Sequence, residues 1–142
     1  MDTSKEYIKM CRKAEEVQEL WEPIPGDFAY DIRYKDPIII INYDKNTYIY
    51  GFNLVNELEF EECVLYFNSE NDLIWLPRQD QLQDMVYKTS DHPYTLIAQF
   101  FDFVHTDDMP MKTSMEQLWL RYVMHEKFNK VWDGKEWATQ NS

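Results

Sequence analysis

Glycine is nearly missing from this chain: three residues in 142, at Gly26, Gly51 and Gly134. A loop that wraps a phosphate needs consecutive backbone N–H groups unobstructed by side chains. Both the GxGxxG and the P-loop patterns use more glycine than is present, so a nucleotide site of either kind is excluded. Cysteine is as scarce. Cys11 and Cys63 are far apart and form no CxxC, which predicts reduced thiols in a cytosolic protein rather than a disulfide framework. The three histidines, His92, His105 and His125, have neither HxxxH nor HExxH spacing, and a zinc site needs three or four close ligands. No GxSxG occurs and neither cysteine has a histidine nearby in sequence. No apolar run approaches membrane-spanning length. Met1-Asp2-Thr3-Ser4-Lys5-Glu6 opens into a polar helix start rather than a signal peptide. A soluble, cytoplasmic protein with no membrane partner, no cofactor and no metal is expected.

Positive charge is also in short supply. Fourteen Lys and Arg stand against 26 Asp and Glu, a net charge of −12 and a pI near 4.5. A groove that follows a nucleic-acid backbone needs clustered Lys and Arg, so direct nucleic-acid binding is not expected. The acidity serves solubility, or attracts a basic partner. Between Lys45 and Arg78 the chain carries no cation but six acids, Glu57, Glu59, Glu61, Glu62, Glu70 and Asp72. This run reads as a solvated strand face. As a divalent-metal cluster it matches no EF-hand loop, whose glycine it lacks.

Apolar side chains are abundant. Hydrophobic residues make up 44% and aromatics 16%, enough for one domain over 1–142 to bury a core without staples. The strongest helix signal runs from Ser114 to Trp132. Met115, Trp119, Tyr122 and Val123 line one side; Leu120, Met124, Phe128 and Val131 line another; Leu118, His125 and Trp132 fall between. Apolar residues nearly all round predict a helix with neighbours on several sides. Thr113 with Glu116, or Ser114 with Gln117, caps it, and Asp133-Gly134 turns Lys135-Glu136-Trp137 back.

At the other end, Thr3 with Glu6 reads as a capping box for an amphipathic helix over roughly 4–21, stopped by Glu22-Pro23-Ile24-Pro25-Gly26. Alternation predicts a half-buried strand over 28–34. Ile38-Ile39-Ile40-Ile41-Asn42-Tyr43 is a β-branched central strand, Asp44-Lys45-Asn46 a turn, and Thr47-Tyr48-Ile49-Tyr50 a further strand, with Gly51 a bulge or turn residue. Strands are also expected at 58–67 and 73–76. Pro77 suits the first turn of a helix that buries Leu82, Met85 and Val86. Asp91 caps another, with Pro93 in its first turn and Tyr94, Ile97, Phe100, Phe101 and Val104 as its apolar stripe. The expected fold is α+β: a curved antiparallel sheet of about four to six strands against about four helices, with a long buried C-terminal helix.

The densest polar constellation is Trp75-Leu76-Pro77-Arg78-Gln79-Asp80-Gln81-Leu82-Gln83-Asp84. A helix N-terminus offers free N–H groups and a partial positive charge to an anion. Arg78 adds a planar fork, Gln79 and Gln81 suit a base edge, and Trp75 suits stacking on it. The alternative is an ordinary polar helix start in which Asp80 and Gln81 serve the helix itself. Residues 112–135 hold Lys112, Arg121, Lys127, Lys130 and Lys135 against Glu116, Glu126 and Asp133, a locally basic stretch that either pairs with the acidic strands or binds an anion. Arg121 and His125 complete the candidate ligand set with Trp75, Arg78, Gln79 and Gln81. For His125, a packed, hydrogen-bonded core histidine is the competing reading.

Three blocks resemble a family of small phage and prophage proteins: Trp75 to Met85, the run from Ser114 through Glu126-Lys127-Phe128 to Lys130-Val131-Trp132-Asp133-Gly134-Lys135-Glu136-Trp137, and the opening helix from Tyr7 to Trp21. The resemblance implies a phage or prophage source. It carries over no catalytic residue, because the family has no assigned activity. Small accessory phage proteins of this sort act by binding. A non-enzymatic module that sequesters a nucleotide-type signal through Trp75, Arg78 and Gln79, or blocks a host defence protein through the acidic 57–72 face, is the leading expectation, and a homo-oligomer would complete the pocket. The alternatives are a small metal-dependent hydrolase using the 57–72 carboxylates, and a virion or assembly component.

Overall fold

The structure is a computed structural model that describes residues 1–44, 48–53, 72–88, 92–106 and 109–141, with the backbone alone at 41–44 and 48–53. It contains two compact units, one of residues 3–77 and one of residues 1–2 with 78–142. Helices and small antiparallel sheets make up both.

The first unit begins with α1 (Lys5–Lys13) and α2 (Glu15–Glu19). Ser4, not Thr3, caps α1, its hydroxyl accepting from the Tyr7 N–H. The single helix expected over 4–21 is interrupted at Ala14, whose φ of −85° and ψ of 66° leave the helical region. Tyr7, Met10, Cys11, Ala14 and Val17 are all fully buried, so the three- and four-residue spacing still selects the inward face across the break.

Strands β1 (Phe28–Asp31), β2 (Asp36–Asp44), β3 (Tyr48–Asn53) and β4 (Leu73–Leu76) pair antiparallel in the order β3-β2-β1-β4. The Ile-rich β2 is an inner strand, as its β-branched sequence predicts. Its register against β3 shifts between Ile40 and Asn42, opposite Gly51 and Tyr50, which puts the irregularity expected near Gly51 mainly on β2. β1 differs from expectation. It ends at Asp31, and residues 32–35 form the turn, with Lys35 at φ 59°. The alternation holds, but Ala29 and Asp31 are fully buried while Phe28 and Tyr30 are half-buried. The buried Asp31 carboxylate is used by the turn: its Oδ1 accepts from the Arg33 and Tyr34 N–H groups. Ala29, Ile38, Ile40 and Leu73 form the core of the sheet, with Trp21 packed against them. Buried Asp27 accepts from Trp21 Nε1 at 2.9 Å and from the Ile24 N–H at 3.1 Å, anchoring the approach to β1.

The free edge of β4 is closed by a side chain. Gln18 Nε2 donates to the Trp75 carbonyl at 3.0 Å, and the Trp75 N–H donates to Gln18 Oε1 at 2.8 Å. One amide side chain thus imitates a neighbouring strand at an edge whose backbone groups need partners.

The second unit contains α3 (Gln79–Val86), α4 (Pro93–Thr106), α5 (Met115–Phe128) and the hairpin β5 (Lys130–Trp132)–β6 (Trp137–Thr139). Ser114 caps α5 by accepting from the Gln117 N–H at 3.1 Å. The Asp2 carboxylate accepts from the Ser114 hydroxyl and from Gln117 Nε2. α5 buries Gln117, Trp119, Leu120, Tyr122, Val123 and Met124, the helix with several neighbours that its sequence predicts. It stops earlier than Trp132: Asn129 takes the left-handed conformation at φ 54°, a backbone state asparagine tolerates at helix ends. Val131 and Trp132 belong to the hairpin instead. In its turn, Asp133 Oδ1 accepts from the Lys135 and Glu136 N–H groups at 2.7 and 2.8 Å, and Gly134 sits at φ 96°.

The expected single curved sheet of four to six strands is therefore corrected to small antiparallel sheets. The strands read at 58–67 and the Asp91 cap lie outside the described residues, as do residues 45 and 46 of the expected turn, whose first residue, Asp44, ends β2. The last two strands form a separate hairpin because a four-residue turn joins only its immediate neighbours.

Two outcomes follow from these contacts. Gln18→Ala leaves both Trp75 backbone groups without this partner and should lower unfolding free energy by about 1–2 kcal/mol, measured by urea titration; a neutral result would mean the edge is closed otherwise. The two N–H donors also hold the Asp133 carboxyl below its ordinary value of 3.8. A group whose folded pKa is depressed contributes stability above its unfolded pKa and loses it as pH falls through the folded one. An NMR titration of the Asp133 carboxyl should give a midpoint below 3.8, and the hairpin should loosen only in stronger acid.

Candidate functional site

Arg78 is the N-cap of α3, in extended backbone at φ −72° and ψ 162°. Its own N–H donates to Gln81 Oε1 at 2.9 Å, so Gln81 completes half of a capping box and serves the helix. The guanidinium turns to Asp80: Nε reaches Oδ1 at 3.1 Å and a terminal nitrogen reaches Oδ2 at 3.3 Å. The fork that could grip a planar anion already holds a carboxylate two residues on. Both groups are partly exposed, and an exposed pair of this kind yields to a competing anion at small cost. Gln79 is half-buried in the first turn of α3.

Trp75 belongs to the other unit. It is 5% exposed, and its ring stacks on Trp21 with planes 4° apart and centroids 6.1 Å apart. It is spent in packing rather than offered as a platform, and its Nε1 is buried without a hydrogen-bond partner. The sequence shows Trp75 beside Arg78 but not the distant Trp21 that covers it.

Arg121 and His125 both lie on α5, one turn apart. Arg121 is half-buried with its Nε inaccessible to solvent. His125 Nδ1 lies 3.0 Å from Glu126 Oε1, and its ring is 5.0 Å from that of Phe103. Nearby, burial and then the Glu126 charge push the Tyr122 hydroxyl up to about 12. It stays neutral near pH 7 and is no general base there. Among the described residues, no group of three or more His, Cys, Asp or Glu side chains is placed to hold a metal. The acids of 57–70 lie outside the described residues; Asp72 faces Arg33 Nε at 3.7 Å.

What sequence reasoning missed is the outward face of α4. Its expected stripe, Tyr94, Ile97, Phe100, Phe101 and Val104, is not one buried face, and α4 has no buried residue at all. Phe100 stacks on Trp119 at 3.8 Å, planes 3° apart, and Phe103 lies 5.3 Å from Tyr122. Leu96, Phe100, Phe103 and Val104 are half-buried. Tyr94, Ile97 and Phe101 are 69%, 64% and 65% exposed. They recur at three- and four-residue spacing, so they share a second, outward face. His105 extends it, its ring stacked on Phe101 at 5.8 Å. The available signal was the number of apolar positions: α4 carries more than one stripe can hold.

No family model, curated protein or solved structure matches the chain. Among the described residues, no helix is long and apolar enough to cross a membrane.

The two polar sites differ in expected weight. Arg78→Ala removes an exposed pair and should change stability by no more than about 0.5 kcal/mol. Ser114→Ala removes an N-cap that also engages Asp2 and should cost about 1 kcal/mol or more. Parallel denaturation of the two variants checks the order; equal losses would contradict it.

Proposed function

We propose that the chain is a non-enzymatic accessory binding protein of a phage, which counteracts host defence in the bacterial cytoplasm by occupying a host protein. The observation that carries this reading is the outward face of α4, where Tyr94, Ile97 and Phe101 stand 69%, 64% and 65% exposed on one helix. Single exposed apolar residues are ordinary on protein surfaces, whereas aromatic and branched side chains gathered on one face mark a site for contact with another chain. Tyrosine and phenylalanine are also residue types enriched where proteins meet. The surrounding acidity favours a partner with a basic rim, since a net charge of −12 steers such a partner inward.

The nucleotide-sequestering version draws less support. Its stacking residue, Trp75, is packed against Trp21, and its anion fork, Arg78, is engaged by Asp80. A helix start whose cation is neutralised by its neighbour attracts a phosphate less than the sequence suggests.

The test is expression of the protein in bacterial strains that each carry one cloned defence system, scored by phage plating. The wild type should restore plating against at least one system, and Phe101→Asp, equally abundant and folded, should lose that effect. A Phe101→Asp variant that restores plating as well as the wild type would overturn the role of α4. Strong thermal stabilisation by a cyclic oligonucleotide, abolished in Arg78→Ala, would favour the nucleotide version instead.

A further inference from the structure

We infer that α4 is a detachable strap, which lifts from α5 while the rest of its unit stays folded and so uncovers an aromatic surface on α5. The inference concerns the chain alone and does not depend on the host partner proposed above. Three observations carry it.

The first is how little of α4 is inside. α4 and α5 are each 14 residues long, yet α5 buries six of its residues and α4 none. Leu96, Phe100, Phe103 and Val104 are only half-buried. Phe100 meets Trp119 and Tyr122, and Phe103 meets Tyr122 and His125. Against these contacts stands the chain entropy that a released helix regains. Local openings are drawn from segments with few buried contacts.

The second is the kind of contact. Among the described residues, no ion pair or side-chain hydrogen bond joins α4 to another element. Its polar contacts are local. The Tyr94 N–H donates to His92 Nδ1 at 3.4 Å, the Thr95 N–H to the His92 carbonyl at 2.8 Å, and the Thr106 hydroxyl to the Phe103 carbonyl at 3.0 Å. The start of α5, in contrast, is bonded to Asp2 through Ser114 and Gln117. Among these groups, lifting α4 leaves no polar partner behind.

The third lies on α5. Trp119 and Tyr122 are each 3% exposed, and Trp119 Nε1 is buried without a hydrogen-bond partner. A buried donor left unpaired carries a desolvation cost that water removes, so opening relieves it. α5 also has a second anchorage. Leu120 and Met124 are fully buried and lie on the side of the helix away from Tyr122 and His125. They hold α5 in place when α4 leaves, and Trp119, Tyr122 and the inner stripe of α4 then face solvent together.

The experiment is hydrogen exchange read by NMR on the purified full chain, in low and rising urea. The α4 amides should exchange through an opening less sensitive to urea than that of α5, with protection at least about tenfold lower. Met124→Ala removes a contact that the open form keeps. It should lower protection in α5 by about tenfold or more and leave that in α4 unchanged. Equal protection and equal urea dependence in the two wild-type helices would overturn the inference, as would an equal loss in both on Met124→Ala. So would α4 amides with no protection at all, since a strap must first be seated. The wild-type measurement decides by itself if Met124→Ala does not fold, and none of these outcomes bears on the plating test.

Discussion

The stack of Phe100 on Trp119 fixes the rotation of α4 about its own axis. With centroids 3.8 Å apart and planes nearly parallel, supported by Phe103 beside Tyr122 and His125, it commits one apolar stripe to α5. The helix period then leaves Tyr94, Ile97 and Phe101 no inward position. Turning α4 to bury them would break the aromatic cluster. The outward face is therefore a consequence of the packing inside this unit, and the proposed binding role depends on it.

Elsewhere the structure answers local polar demands with single side chains. Gln18 closes the β4 edge with both ends of one amide. Asp27 collects Trp21 Nε1 and a backbone N–H in the approach to β1. Asp133 organises the last turn, and Asp2 reinforces the start of α5 through Ser114 and Gln117. Each of these groups accepts from a backbone or side-chain donor. None of them draws on the outward residues of α4.

Much of the fold was legible in the residues. The all-round apolar pattern of α5 announced several neighbours, the isoleucine run an inner strand, and Asp133-Gly134 a tight turn. The break at Ala14 was not legible, because alanine is a good helix former and the burial pattern continues across it. Nor was the end of α5 at Asn129, since Val131 and Trp132 continue the apolar spacing inside a hairpin. For α4, two adjacent stripes share one period, and periodicity alone does not say which of them meets a neighbour. The candidate site at 75–84 misled for a related reason. Adjacency placed Trp75 and Arg78 together on paper, while folding gave Trp75 to Trp21 and the Arg78 fork to Asp80. Three exposed apolar side chains, Tyr94, Ile97 and Phe101, thus lie on a helix whose sequence had been read as carrying one apolar stripe.

The central claim is that packing on α5 turns an apolar face of α4 outward, where it meets a host protein. Photocrosslinking in host cells from a reactive side chain placed at position 97 tests it most directly. The account predicts an adduct with a host protein. No such adduct, in cells where the protein restores phage plating, would contradict it.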